Sequence, residues 1–206
     1  MSDSQEEFIM KNTNKLSTKT LVVGAILTAL VFLLQYLGAF VRLGPFSISL
    51  VLIPIVIGAA TCGVGIGAWL GFVFGAAVLL CGDAAAFMAV NVAGTIITVL
   101  AKGTLCGFLA GLTYKAVLKL AGAKRSLVAV MAAAVVCPVV NTGVFLLGCL
   151  AFFMPTIAEW TTAAGLGGNV AQYMIFGLVG GNFLVELAAN IVFAPAIVHI
   201  IKAVKK

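Results

Sequence analysis

Charged side chains are scarce in this sequence of 206 residues: Lys, Arg, Asp and Glu together make up 9%, whereas hydrophobic residues make up 63%. An ordinary soluble domain has about 25% charged and about 45–50% apolar residues. So few charges cannot cover the surface of a water-soluble globule. The composition therefore predicts an integral membrane protein that forms one domain.

Motifs of common enzymes and metal sites are absent as well. There is no H-E-x-x-H, no nucleophile elbow and no G-x-x-x-x-G-K-[ST] phosphate loop, so we expect neither an enzyme nor an ATP-hydrolysing subunit. Only one acidic residue lies deep in an apolar run, which argues against a paired-aspartate intramembrane protease. The five cysteines are odd in number and lack C-x-x-C spacing, which predicts no disulfide and no metal site. No cofactor is expected either.

Six apolar runs have lengths near the ~20 residues with which a helix crosses a bilayer. They cover residues 20–40, 44–61, 64–80, 92–114, 127–150 and 171–201. The second run is the weakest: it is shorter, Pro54 breaks it, and its best helical part covers only residues 48–60. Only Cys62 and Gly63 separate it from the third run, which predicts a tight helical hairpin. The expected fold class is an all-α membrane bundle of six transmembrane helices.

The basic residues determine the orientation predicted for this bundle. They form three clusters, before the first run, between the fourth and fifth, and after the sixth: Lys11, Lys15, Lys19, Lys115, Lys119, Lys124, Arg125, Lys202, Lys205 and Lys206. Six spans put all three clusters on one face, which is cytoplasmic by the positive-inside rule, whereas five spans would split them. The sequence thus predicts a polar cytoplasmic segment at 1–19, a transmembrane domain at 20–201 and a basic cytoplasmic tail at 202–206. These clusters explain the net charge of +6, so we expect no nucleic-acid partner.

The predicted connections on the opposite face cover residues 41–47, 81–91 and 151–170. They carry five aromatic residues: Phe46, Phe87, Phe152, Phe153 and Trp160. Aromatic side chains in such positions most often anchor a protein at the membrane interface. The alternative is that some of them form a lid over an outward-facing pocket, which the long third connection would support.

Polar side chains recur inside three of the predicted spans, where lipid disfavours them. In the fourth and sixth runs they are three or four residues apart and therefore share one helix face. The candidate substrate-binding residues are Asn91, Thr95, Thr98, Lys102, Asn141, Asn182, Glu186 and Asn190. Two interpretations of the deep charges stay open and can coexist. Lys102 and Glu186 tie two helices together as an ion pair, or one or both contact a ligand, with Lys102 holding an anionic group.

Three features of the sequence resemble one known family over essentially the whole chain. The first run contains the A-x-x-x-A pattern of Ala25 and Ala29, where two small residues one turn apart leave a groove for another helix. The segment G-P-F-S-I-S-L at 44–50 opens the second helix, and the third run is rich in glycine between Gly63 and Gly75. In this order they resemble the substrate-binding S components of energy-coupling factor (ECF) vitamin transporters.

The resemblance implies a subunit of a bacterial cell membrane that captures a small water-soluble vitamin or related micronutrient outside. It implies partnership with a transmembrane T component and two cytoplasmic ATPases, and toppling in the bilayer to release the cargo inward. Ala25 and Ala29 would meet the T component, with internal packing of the first helix as the alternative. Our preference among ligands is an anionic or amphipathic vitamin such as pantothenate, folate or riboflavin.

Two other functions compete with this interpretation. A stand-alone secondary transporter would use an ion gradient, with Glu186 as a proton or cation relay. A scaffold for other membrane subunits would bind no ligand at all.

Overall fold

The computed structural model describes residues 17–38, 42–43, 46–47, 50–122, 125–166 and 168–205. The polar segment predicted at 1–19 lies outside these ranges except for 17–19. Part of the G-P-F-S-I-S-L segment, namely Gly44, Pro45, Ile48 and Ser49, also lies outside them. Two short strands, β1 (Arg42–Leu43) just before this segment and β2 (Phe46–Ser47) within it, pair in an antiparallel ladder.

The rest of the described chain is helical. In chain order the helices are α1 (Thr18–Gly38), α2 (Leu52–Cys62), α3 (Val64–Leu80), α4 (Ala85–Met88), α5 (Val92–Ala121), α6 (Ser126–Phe152), α7 (Met154–Ala163), α8 (Val170–Gln172) and α9 (Gly181–Lys205). A π-helical segment, Tyr173–Gly180, joins α8 to α9 without a break. The predicted all-α fold is confirmed, since each of the six apolar runs contains one main helix.

Four helices of the described chain are long and apolar enough to cross a membrane. They are α1, α5, α6 and the continuous helix Val170–Ala203, while α2 and α3 are apolar but shorter. Large apolar side chains also cover the outside of the bundle; Phe176 is 76% exposed and Val192 is 72% exposed. Such a surface suits lipid rather than water, so the chain is a multi-pass membrane protein. The number of crossings, six, stays a prediction.

Helices α2 and α3 form the predicted hairpin. Gly63, with φ of 98°, connects them in a backbone conformation that side chains other than glycine rarely adopt. Pro54 lies in the first turn of α2, where its missing N–H breaks no helical hydrogen bond. The second helix therefore begins at Leu52 instead of at residue 44, and Pro54 helps to start it rather than interrupting it. Most of α2 is buried in the centre of the bundle, as expected for a helix that is apolar on every face.

The backbones of α3 and α5 touch at glycines. A Cβ on Gly71 would overlap the carbonyl oxygen of Gly103. A Cβ on Gly67 would lie 2.7 Å from the carbonyl oxygen of Gly107. As residue numbers rise along α3 they fall along α5, so the two helices run antiparallel. The glycine-rich run of α3 thus allows close packing against one neighbouring helix.

Candidate functional site

A cavity lies between α3, α5, α6 and α9. Its enclosed part measures about 80 Å³, and about 770 Å³ of empty space is present when the adjoining open space is included. The smaller figure is the one to compare with the ~300–1,000 Å³ of typical small-molecule sites, and it lies below that range. The lining reaches one end of the bundle through Asp83 and Phe87, which connect α3 to α5, and through Phe153 at the start of α7.

Six of the eight predicted site residues line this cavity: Thr95, Thr98, Lys102, Asn141, Asn182 and Glu186. The other two are elsewhere. The side-chain oxygen of Asn91 accepts a hydrogen bond from the backbone N–H of Gly94 at 2.9 Å and so caps the N-terminus of α5. Asn190 is fully buried, and its amide donates to the backbone carbonyl of Glu186 at 2.8 Å. Binding of substrate by any of the eight remains a prediction.

Two further polar residues of the lining were not identified from the sequence. Gln35 of α1 is 2% exposed, and its amide nitrogen donates to the Asp83 carboxylate at 2.9 Å. The pair joins the end of α1 to the connection between α3 and α5. The sequence contained a signal for Gln35, which lies inside an apolar run. A polar side chain in a membrane span rarely faces lipid, so it indicates a position inside the bundle.

The aromatic residues of the outer connections pack against one another over the cavity. The ring of Phe87 meets those of Phe145, Phe153 and Trp160 edge to face, with centroids 5.6, 4.9 and 5.4 Å away. Phe87 and Phe153 are buried, so they are not the interfacial anchors that we expected. Phe152 is 40% exposed and fits that role, while the side chain of Phe46 lies outside the described residues.

Lys102 extends from α5 into the cavity between two aromatic rings. Its ammonium nitrogen lies 5.5 Å from the ring centroid of Phe74 and 5.5 Å from that of Phe145. Both distances are within cation–π range. Glu186 of α9 lines the same cavity and interacts electrostatically with Lys102. The two deep charges are therefore brought together in the wall of one site.

Buried oxygen atoms in the lining have no protein hydrogen-bond partner. Within the described part of the chain, these include the side-chain oxygens of Thr98, Asn141 and Asn182. More than about 90% of buried polar groups in proteins are hydrogen-bonded, and leaving one unpaired costs about 1–3 kcal/mol. Several such atoms around one cavity indicate that a bound molecule or water completes the site.

Ala25 and Ala29 lie in a different place, on the outside of the bundle. Both are exposed and line a groove of about 880 Å³ between α1 and α3, which we call the α1/α3 groove. Across it, the indole N–H of Trp69 donates to the hydroxyl of Thr28 at 3.1 Å. The alternative of internal packing therefore does not apply to these two alanines. Contact with a partner remains a prediction.

Comparison with known proteins agrees with the architecture. No curated protein and no solved structure matches the chain. The family described as "ECF transporter, substrate-specific component" matches residues 19–201, a range that contains the whole cavity and the α1/α3 groove. Members of this family are transporter subunits that bind substrate, and they are not enzymes. The chain therefore belongs to the family of substrate-specific components of ECF transporters.

Proposed function

We propose that this subunit captures a small water-soluble vitamin or related micronutrient in the cavity between α3, α5, α6 and α9. The observation that carries the proposal is a set of buried polar groups and aromatic rings enclosing empty space inside an otherwise apolar bundle. The uncharged polar residues of the lining contact the ligand, and Lys102 and Glu186 form part of its wall. Asn91 and Asn190 do not line the cavity; Asn91 caps α5, and Asn190 bonds to the backbone of α9.

The cavity opens to the outside of a bacterial cell membrane, and both chain ends are cytoplasmic. Chain topology supports this orientation. Lys119 and Arg125 flank the turn between α5 and α6, at the end of α5 that lies away from Asp83 and Phe87. Basic residues favour the cytoplasmic side. The lining residues of the outer connections therefore face the medium from which a nutrient is taken.

Transport into the cell requires a T component and two ATPases. The ATPases hydrolyse ATP, for which this chain has no phosphate loop. The α1/α3 groove is the surface proposed for the T component. Its two exposed alanines permit close approach of a helix, and Trp69 and Phe32 provide apolar contact area along its length.

Release of bound small molecules tests the proposal. The protein is purified in mild detergent, denatured, and the liberated compounds are identified by mass spectrometry. We expect one compound from the wild type and none from Asn141→Leu/Asn182→Leu, because leucine cannot hydrogen-bond to it. Phe176→Ala, at a lipid-facing position, is the matched control and retains the compound. Equal recovery from the wild type and the Asn141→Leu/Asn182→Leu variant would place the binding site elsewhere.

A further inference from the structure

The surroundings of Lys102 contain partners for its charge. Two aromatic faces and the electrostatic interaction with Glu186 offset part of the cost of burying the ammonium group before any ligand is present. An anionic ligand at Lys102 would also approach the Glu186 carboxylate, and this repulsion is only weakly screened away from water. The attraction of an organic acid to this lysine is therefore opposed by its repulsion from Glu186.

The remaining polar groups of the lining include several hydrogen-bond acceptors. The hydroxyl of Thr95 donates to the backbone carbonyl of Asn91 at 2.7 Å, so only its lone pairs are left for a ligand. The unpaired side-chain oxygens of Asn141 and Asn182 require donors, and the unpaired hydroxyl of Thr98 can accept or donate. Such a lining matches a molecule whose edge carries N–H or O–H groups.

The apolar part of the lining is aromatic and surrounds the same space. The ring of Phe87 makes edge-to-face contacts with those of Phe145 and Phe153, and Phe183 of α9 also lines the cavity. Aromatic walls favour a flat ring, which they contact by stacking or by ring edges.

From these three observations we propose that the ligand is an uncharged heteroaromatic molecule that donates hydrogen bonds to the acceptors of the cavity, and that the Lys102–Glu186 pair balances charge within the wall. This proposal rests on the proposed function, because it names the substrate class of the same cavity. This substrate class replaces the anion held by Lys102 that the sequence favoured. Of the three vitamins named above, riboflavin is compatible with it.

Equilibrium dialysis against a defined mixture tests the substrate class. The mixture contains nicotinamide with nicotinate, pyridoxine with pyridoxine 5′-phosphate, riboflavin with its 5′-phosphate, and also pantothenate and folate. We expect the purified wild-type protein to retain an uncharged aromatic member and to discriminate by at least about tenfold against its anionic counterpart, which corresponds to one unit of log affinity. Preferential retention of a carboxylate or phosphate, or of aliphatic pantothenate, overturns the substrate class but leaves the proposed function intact. If the protein retains no member and releases no small molecule on denaturation, both proposals are wrong.

A double-mutant cycle on the charged pair tests the role of Lys102 with the retained compound. Lys102→Gln and Glu186→Gln each leave one buried charge without its counter-charge, so we expect each to weaken binding by about tenfold or more. The double variant Lys102→Gln/Glu186→Gln restores neutrality and should bind within about threefold of the wild type. Gel filtration confirms that each variant is folded. If the double variant binds as poorly as Lys102→Gln alone, the lysine contacts an anionic ligand and the proposal is wrong.

Discussion

Replacing Asn182 by leucine is expected to stabilise the ligand-free protein and, at the same time, to abolish binding. The side-chain oxygen of Asn182 is buried and lacks a hydrogen-bond partner among the described residues. Such an atom costs about 1–3 kcal/mol, and we take the lower end because the side chain borders a cavity. Leucine removes this penalty and extends its methyl groups into space that is empty without ligand. The free energy of unfolding should therefore rise by about 1 kcal/mol.

Thermal unfolding in detergent measures this change. For a chain of this length, 1 kcal/mol corresponds to a rise in Tm of about 2–4 °C. Asn91→Leu is the matched control, because it makes the same substitution at a helix cap outside the cavity. Loss of the hydrogen bond from the Gly94 N–H to Asn91 should lower the free energy of unfolding by about 0.5–2 kcal/mol and leave ligand binding unchanged.

Opposite shifts in Tm for the two leucine variants, with binding lost in Asn182→Leu alone, are the expected pattern. The reasoning is refuted if Asn182→Leu lowers Tm as Asn91→Leu does. In that case the Asn182 amide would stabilise the fold through its own contacts, and its oxygen would give no information about a ligand.

Three further predictions concern other parts of the molecule. Ala29→Trp should fill the α1/α3 groove. We expect this variant to lose ATP-dependent uptake with the T component and ATPases, while ligand binding by the isolated subunit persists. Val192→Trp, on another exposed face, is the control and should leave uptake intact. Gly71→Val should force α3 away from Gly103 and lower the free energy of unfolding by about 1–3 kcal/mol in a denaturation assay. Gly65→Val is the control and should be tolerated, because a Cβ at Gly65 meets no neighbour within 4 Å. In proteoliposomes that contain this chain alone, an ion gradient should drive no substrate uptake; accumulation there would support the secondary-transporter alternative.

Helix positions could be predicted from the sequence because the length of an apolar run depends on membrane thickness rather than on tertiary contacts. The fifth run, predicted at 127–150, corresponds to Ser126–Phe152. The polar stripe of α5 was also predictable, since Thr95, Thr98 and Lys102 share one helix face and all reach the same cavity.

Features that depend on distant contacts could not be predicted in this way. Gln35 and Asp83 are separated by 48 positions in the chain, and no local pattern indicates that they bond. The two rings around Lys102 come from α3 and α6, so its depth and charge were predictable but its surroundings were not. The π-helical turns of Tyr173–Gly180 leave no trace in a run that is uniformly apolar.

The glycine contact between α3 and α5 prevents these two helices from moving relative to each other. Carbonyl groups and Cα atoms meet there directly, and no flexible side chain can yield if the helices slide. Phe74 of α3 and Lys102 of α5 must therefore move together, as parts of one rigid wall of the cavity. Any change in the shape of the cavity then has to arise in its other walls.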